Sequence, residues 1–391
     1  MDWNNKTAAN VKAIKPSGIR KFFDIAAQVK GVLSLSIGEP DFAAPDKVLD
    51  AMKASLDAKE TSYTGNSGMM ELREAISQHF EKRYGVHYDP KDEILVTVGV
   101  SEGLAMALLA ITEPGDEVII PDPAYVAYPA SVELAGGTPV FVPTYPEHDF
   151  KLTVEALEKV ITPKTKAIVI GYPNNPTGTV MSAEELMPIA KFAEEHDLIV
   201  LSDEIYCELM YGDAKFTSFA KLPGMRERTV IFNGFSKAYA MTGMRLGYVC
   251  APREGLAPIL KLHQYAIMCA NTTAQVGGIT ALKECDDDVE AMRQEYDRRR
   301  KVIYKGLCDM GLPVFEPKGA FYIFPDIRCT GMTSAEFCEK LVQEEKVAVV
   351  PGTAFGAQGE GFVRISYAAS MDTIQEALKR MARFVDKYRS C

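Results

Sequence analysis

A lysine and an arginine stand among small, aromatic and apolar residues in one stretch, residues 233–247, just after the apolar run of residues 229–232. Burying an unpaired ammonium or guanidinium costs several kcal/mol unless an anion or a covalent bond compensates. A desolvated lysine also becomes a nucleophile towards carbonyl compounds. We therefore hypothesise that Lys237 forms a Schiff base, with Ser236 and Arg245 holding the phosphate of its cofactor. The alternative is a strand end followed by a glycine-rich turn with a solvated Lys237.

Length and charge limit the classes of protein that fit. The chain has 391 residues, more than one hydrophobic core usually holds, which predicts one large and one smaller domain. Its formal net charge of -10 argues against a nucleic-acid partner. The polar N-terminus and the lack of a long apolar run predict a cytoplasmic protein with no membrane partner. The eight cysteines and five histidines are scattered, so neither a disulfide framework nor a metal site is expected.

Residues 94–235 alternate between apolar, β-branched runs and helical segments. Continuous apolar strands between helices are typical of a sheet covered on both faces, which predicts an α/β fold with a largely parallel sheet. The predicted strands are residues 94–98, 118–120, 140–142, 168–170, 198–201, 230–232 and 246–250. A helix is predicted over residues 104–111, after a glycine-containing turn, and a weaker helical pattern covers residues 19–29.

The pattern changes after about residue 280 to a long charged helix, short strands at residues 320–324, 348–350 and 362–366, and two further helices. This is an α+β arrangement. We expect residues 46–280 to form the large cofactor-binding domain and residues 281–391 the small C-terminal domain. The N-terminal segment, residues 1–45, is expected to pack with the small domain.

Polar side chains follow five of the predicted strands. They are Ser101, Tyr125, Asn175, Asp203 with Tyr206, and Ser236 with Lys237. Ligands of open α/β sheets bind beyond the carboxyl ends of the strands, so we expect these groups to meet. Pyridoxal phosphate needs a lysine for its aldehyde, an anion for its ring nitrogen, a hydroxyl for its ring oxygen, an aromatic face and a phosphate cradle. Each has a candidate among these residues.

The same residues resemble the motifs of the fold-type I, class I/II aminotransferases, the aspartate and aromatic aminotransferase superfamily. The lysine motif, with its Gly-x-Arg-x-Gly, spans residues 234–247; Asn-Pro-Thr-Gly is residues 175–178, and Asp-x-x-Tyr is residues 203–206. The similarity extends from Gly38 to Arg364. It implies a mostly parallel mixed sheet in a large domain plus a smaller α+β domain, with pyridoxal 5'-phosphate as the cofactor.

The resemblance also implies a role for each residue that meets the cofactor ring. Lys237 would form the imine and move a proton at the substrate α-carbon. Asp203 would keep the pyridine nitrogen protonated, Asn175 and Tyr206 would bond the ring oxygen, and Tyr125 would stack on the ring.

The phosphate and the substrate have their own implied ligands. Backbone N–H groups of Val100 and Ser101, with Ser236 and Arg245, would bind the phosphate. Tyr63 would reach the phosphate of the neighbouring subunit, which makes the enzyme a homodimer with shared active sites. The implied ligands of the substrate are Arg364 and Gly38 for its α-carboxylate, together with Asn175 and, in the side-chain pocket, Tyr322.

The predicted reaction is ping-pong transfer of an amino group from an L-amino acid to a 2-oxo acid such as 2-oxoglutarate. A branch specific for aspartate has a lysine where this chain has Ser101, and residues 265–268 are apolar, so we expect a broader or aromatic-leaning donor.

A carbon–sulfur β-lyase of the same fold is the nearest alternative function. An idle regulatory protein is disfavoured because residues 1–45 are too short for a DNA-binding domain. A dinucleotide-dependent dehydrogenase is disfavoured because no Gly-x-Gly-x-x-Gly follows the early strands.

Overall fold

The computed structural model describes residues 1–14, 18 and 29–389. Apart from Val29, the helix predicted over residues 19–29 lies outside the described residues. Within residues 1–14 and 29–389 the α-helices are α1 (Ala9–Ala13), α2 (Asp46–Asp57), α3 (Met70–Tyr84), α4 (Gly99–Ile111), α5 (Ala127–Leu134), α6 (Val154–Leu157), α7 (Ala183–Glu195), α8 (Arg253–Ala266), α9 (Thr272–Glu284), α10 (Asp286–Asp309), α11 (Ser334–Glu345) and α12 (Met371–Tyr388). None of the helices in these ranges is both long and apolar enough to cross a membrane.

A seven-stranded sheet organises the first two thirds of the chain. Its strands are β2 (Ile94–Thr97), β3 (Glu117–Asp122), β4 (Thr138–Pro143), β5 (Thr165–Ile170), β6 (Ile199–Asp203), β7 (Thr229–Gly234) and β8 (Gly247–Cys250), after a first short strand β1 (Leu33–Ser34). Their order is β2-β8-β7-β6-β5-β3-β4. Only β8 runs antiparallel to its neighbours β2 and β7; the other pairs are parallel. The predicted α/β class and mostly parallel mixed sheet are confirmed.

Alternate residues of the central strands enter different hydrophobic clusters. In β3, Val118 and Ile120 join the cluster that includes α4, whereas Ile119 joins the cluster on the α7 side. In β5, Val169 and its neighbour Ile168 divide in the same way. Because both faces are covered, the central positions of these strands are apolar on both sides, which explains their continuous hydrophobic runs.

A smaller three-stranded antiparallel sheet follows, in the order β11-β12-β9, made of β9 (Tyr322–Ile323), β11 (Val350–Pro351) and β12 (Val363–Ser366). The N-terminal strand β1 pairs in parallel with β10 (Val347–Ala348). Leu35 then accepts a hydrogen bond from the Ser366 N–H and donates its own N–H to Ala348. The N-terminal segment is therefore attached to the C-terminal part of the chain.

Two predicted elements differ from the structure. Helix α4 begins at Gly99 and not at residue 104, because Gly99 (φ +75°) makes the sharp turn from strand to helix itself. The strand predicted over residues 348–350 is two strands, β10 and β11, which belong to different sheets. An apolar run shows that a segment is buried, but it does not show where the segment changes partner.

Candidate active site

A cavity of about 510 Å³ opens at the edge of the large sheet where β3, β5, β6 and β7 end. Twelve of the predicted site residues line it: Gly38, Val100, Ser101, Tyr125, Asn175, Asp203, Tyr206, Ser236, Lys237, Arg245, Tyr322 and Arg364. The residues that follow β3, β5, β6 and β7 meet at the carboxyl ends of those strands, as expected. Gly38, Tyr322 and Arg364 reach the same cavity from the N-terminal segment and from the smaller sheet.

The N-terminus of α4 forms an anion cradle. Val100 and Ser101 lie in its first turn, where backbone N–H groups have no intrahelical partner. A Cβ on Gly99 would lie 2.6 Å from a terminal nitrogen of Arg245, and a Cβ on Gly247 would lie 2.8 Å from the Val100 nitrogen. Glycine at these two positions thus lets a guanidinium and a bare helix terminus converge, which suits a phosphate.

Lys237 projects from the loop after β7 into the cavity, and its Nζ donates a hydrogen bond to the Gly38 carbonyl over 2.7 Å. Burial, together with the charges of Arg364 and Arg245, lowers the pKa of this amine to about 8, although the carboxylates of Glu39 and Asp203 oppose the shift. A fraction of the lysine is therefore neutral near pH 7. In that form it has the lone pair that attack on an aldehyde requires.

Asp203, the last residue of β6, is buried, and its Oδ2 accepts a hydrogen bond from the Tyr128 hydroxyl over 2.8 Å. Burial raises the pKa of this carboxyl, while Tyr128, the Ile205 N–H and the charge of Lys237 oppose the rise. Tyr128 was not predicted from the sequence. Its signal was the spacing Tyr125-x-x-Tyr128: the Tyr128 N–H donates to the Tyr125 carbonyl across the turn that leads into α5 (3.1 Å), and the two rings meet edge to face at 5.6 Å.

Arg364 on β12 is buried and packs against two aromatic rings. Its Cζ lies 4.5 Å from the centroid of Tyr322 and 4.7 Å from that of Phe355, a second residue that the sequence analysis missed. One terminal nitrogen donates to Asn175 Oδ1 (3.0 Å) and the other to the Ser36 carbonyl (2.7 Å). The buried Nε has no protein partner. A carboxylate would supply this donor with an acceptor.

The remaining predicted residues divide between the cavity and the surface. Tyr206 and Tyr322 share a hydrogen bond between their hydroxyls, 2.9 Å long. A Cβ on Gly38 would lie 2.5 Å from the Tyr322 hydroxyl, so this wall of the cavity requires glycine. Tyr63 is 81% exposed and does not line the cavity of its own chain. Its predicted contact with a neighbouring subunit stays a prediction.

Comparison with known proteins identifies the family of this chain. The family model described as "Aminotransferase class I and II" matches residues 30–381. The chain belongs to this family. Members of the class I and II aminotransferases use pyridoxal phosphate, and this enzyme is an aminotransferase. The primary amine of Lys237, the buried Asp203 and the glycine-lined N-terminus of α4 fit that cofactor.

Individual relatives cover almost the whole chain. The enzyme is 51% identical to an aspartate aminotransferase of Pyrococcus abyssi, over 95% of this chain and 96% of that protein. It is 48% identical to aromatic-amino-acid aminotransferase 2 of Thermococcus litoralis, again over 95% and 96% of the two chains. The crystal structure of an aromatic aminotransferase from Pyrococcus horikoshii superposes with a TM-score of 0.90 at 49% identity, covering 94% of this chain and 99% of that one.

Proposed function

We propose that this aminotransferase moves the amino group of an aromatic or other apolar L-amino acid to 2-oxoglutarate by ping-pong chemistry. The observation that carries the proposal is Arg364, a buried guanidinium that lines the same cavity as Lys237 and whose Nε has no protein partner. A planar fork that binds the α-carboxylate fixes the amino acid in one orientation, with its α-carbon beside the lysine amine.

The residues around Lys237 divide the work of holding and activating the substrate. Pyridoxal phosphate supplies an aldehyde that takes up amino groups and a ring that accepts the electrons of the Cα–H bond. Lys237 takes the proton from the α-carbon of the donor and, in the second half-reaction, gives a proton to the α-carbon of the acceptor. Asp203 carries the negative charge that pairs with a protonated ring nitrogen, and Tyr125 covers the ring face.

The ligands of the ring oxygen and of the phosphate come from separate segments. Asn175 uses its amide oxygen for Arg364, which leaves its amide N–H groups for the ring oxygen together with the Tyr206 hydroxyl. The N–H groups of Val100 and Ser101, the Ser236 hydroxyl and the Arg245 guanidinium are the proposed phosphate ligands, as their place around the α4 N-terminus supports.

The cavity wall suits an aromatic or apolar donor side chain. Among the described residues, the cations that line it are Lys237, Arg245 and Arg364, and each already has a role. The wall also carries Ile37, Tyr125 and Tyr322, which offer apolar and aromatic surface to the side chain of the donor. The aromatic activity named for the T. litoralis relative supports this donor class, and the aspartate activity named for the P. abyssi relative is the competing outcome.

We also propose that the enzyme is a homodimer whose active sites take Tyr63 from the neighbouring subunit. Tyr63 and Tyr265 are 81% and 86% exposed, an unusual position for two large aromatic side chains. Asn66 donates a hydrogen bond to the Met268 carbonyl, which ties the segments of Tyr63 and Tyr265 together.

We also propose that the domains divide at residues 45 and 280 and that the protein is cytoplasmic. The free state of all seven described cysteines supports a reducing compartment.

A donor and acceptor panel tests the reaction. Purified protein with added cofactor is incubated with phenylalanine, tyrosine, aspartate or alanine and 2-oxoglutarate, and glutamate is measured. We expect stoichiometric glutamate, fastest with the aromatic donors. Ammonia and pyruvate released from a cysteine conjugate, without glutamate, would indicate a β-lyase instead. Aspartate as the fastest donor would overturn the proposed donor class alone.

A further inference from the structure

The loop between β11 and β12 of the smaller sheet lies against the end of β3 in the large sheet. This loop, residues 352–362, contains two short 3-10 turns, Gly352–Phe355 and Ala357–Gly359. Asp122 ends β3, and its two carboxylate oxygens accept hydrogen bonds from the N–H groups of Ala357 (3.0 Å) and Gln358 (3.3 Å). The neighbouring Ala124 N–H donates to the Phe355 carbonyl over 2.9 Å.

Close packing fixes this contact. Asp122 is 5% exposed, so its carboxylate relies on these backbone donors in place of water. A Cβ on Gly356 would lie 1.9 Å from Asp122 Oδ1, and Gly356 has φ +138°, a conformation that favours glycine. Burial raises the pKa of Asp122 to about 6, with the two N–H donors opposing the rise, so the carboxylate is ionised at neutral pH.

The loop carries Phe355, and the Arg364 Cζ lies over its ring, 4.7 Å from the centroid. The same atom lies over the Tyr322 ring, 4.5 Å from the centroid. Packing against two rings restricts the orientation of the guanidinium, and that orientation decides where a carboxylate can bind with two parallel hydrogen bonds. Phe355 can restrict this orientation only while the loop stays in place.

We propose that Asp122 is a positioning residue for substrate binding: by anchoring residues 355–358 it holds the Phe355 ring on Arg364 and so orients the grip on the α-carboxylate. Asp122 touches neither the cofactor ligands nor the reacting atoms in this arrangement. The inference rests on the proposed role of Arg364.

The decisive comparison uses two donors that differ only in the carboxylate. The cofactor-loaded enzyme is mixed with phenylalanine or with 2-phenylethylamine, and the half-reaction is followed by the absorbance of the cofactor. In Asp122→Asn the side-chain oxygen can accept from only one of the two loop N–H groups. The second N–H group then faces the NH₂ of the amide, which is also a donor. We expect the apparent Kd for phenylalanine to rise about tenfold, the scale of one lost hydrogen bond to a charged group. The reaction of 2-phenylethylamine should be unchanged, since it has no carboxylate.

Two further variants approach the contact from the loop. Ala357→Pro removes one N–H donor at the first position of a 3-10 turn, where proline is tolerated, and leaves Asp122 intact. Phe355→Leu removes the ring and leaves the anchor. Both should affect phenylalanine and spare 2-phenylethylamine, so the inference is tested even if Asp122→Asn does not fold. Asp89→Asn is the control, since Asp89 also accepts a backbone N–H (Lys91, 2.8 Å) but is exposed.

Several outcomes would overturn the inference. An equal loss for both donors in the variants would show a general structural defect, and an unchanged phenylalanine Kd would show that the anchor does not reach Arg364. Weaker binding of the cofactor in these variants would show that they disturb the cofactor site and not the site of the α-carboxylate. Arg364→Lys is measured in parallel. If Arg364→Lys also binds phenylalanine normally, the proposed role of Arg364 fails. If Arg364→Lys is defective but the Asp122, Ala357 and Phe355 variants bind phenylalanine normally, only the proposed role of Asp122 is refuted.

Discussion

Tyr128 donates its hydroxyl hydrogen to Oδ2 of Asp203 over 2.8 Å, and both side chains are buried. The bond favours the ionised carboxylate, because an acceptor with a fixed donor loses less on leaving water. Asp203 is the anion proposed for the ring nitrogen of the cofactor. Tyr128 therefore supports the charge on which the electron-withdrawing power of the ring depends.

Replacement of Tyr128 by phenylalanine should slow the half-reaction without releasing the cofactor. One hydrogen bond to a charged group is worth about 1.5–3 kcal/mol, so we expect about a tenfold to hundredfold lower rate in Tyr128→Phe. Stopped-flow absorbance at saturating amino acid measures it. Tyr145→Phe is the matched control, since Tyr145 is exposed and lies outside the cavity. A Tyr128→Phe enzyme as fast as the wild type would remove this bond from the mechanism.

Replacement of Lys237 by alanine should abolish both the covalent attachment of the cofactor and most of the activity. Loss of the proposed general base costs at least a factor of about 10²–10⁴ in rate. The absorbance of the bound cofactor and single-turnover rates are the two measurements. The exposed Lys191→Ala controls for the loss of a lysine as such. A yellow, active Lys237→Ala protein would refute the assignment.

Uptake of pyridoxal phosphate by the cofactor-free enzyme should accelerate with rising pH. The neutral amine is the attacking form, and the pKa of Lys237 is lowered to about 8, so the rate should rise up to about pH 8 and then level off. An ordinary lysine would still be gaining rate at about pH 10. Because the Glu39 carboxylate raises this pKa, Glu39→Gln should move the plateau to lower pH. A plateau that stays in place or moves upward would contradict the proposed electrostatics.

Sequence patterns predicted the strands and the residues at their ends, but not the pairs those residues form. Lys237, Asn175 and Asp203 follow apolar runs, and parallel strands necessarily bring such positions to one edge. The contacts of Tyr128 with Asp203 and of Phe355 with Arg364 depend on how a helix and a loop are oriented in space. A repeat of apolar residues every 2 or 3.6 positions indicates which face of a strand or helix a side chain occupies. It does not indicate which residue that side chain contacts. The neighbour of Tyr63 could not emerge from one chain at all.

Glu204 follows Asp203 but points away from the cavity into the protein. Its Oε1 accepts hydrogen bonds from the Ser202 and Ser218 hydroxyls and from the Phe219 N–H, while the buried Oε2 has no protein partner. Burial raises the pKa of this carboxyl to about 7, with the three donors opposing the rise and the charge of Asp203 adding to it. The folded state therefore holds a proton that the unfolded state releases at lower pH.

This difference in proton affinity makes stability depend on pH with a definite sign. Between the ordinary pKa of glutamate and about 7 the folded state binds more protons, so the free energy of unfolding falls as pH rises. Glutamine at position 204 cannot ionise. The wild type should therefore lose about 2–3 kcal/mol relative to Glu204→Gln between about pH 5 and pH 8. Urea unfolding at several pH values measures the difference, in which other titrating groups cancel. The exposed Glu195→Gln is the control. If the stability difference between the wild type and Glu204→Gln changes with pH no more than the difference between the wild type and Glu195→Gln, Glu204 does not hold a proton in the folded state.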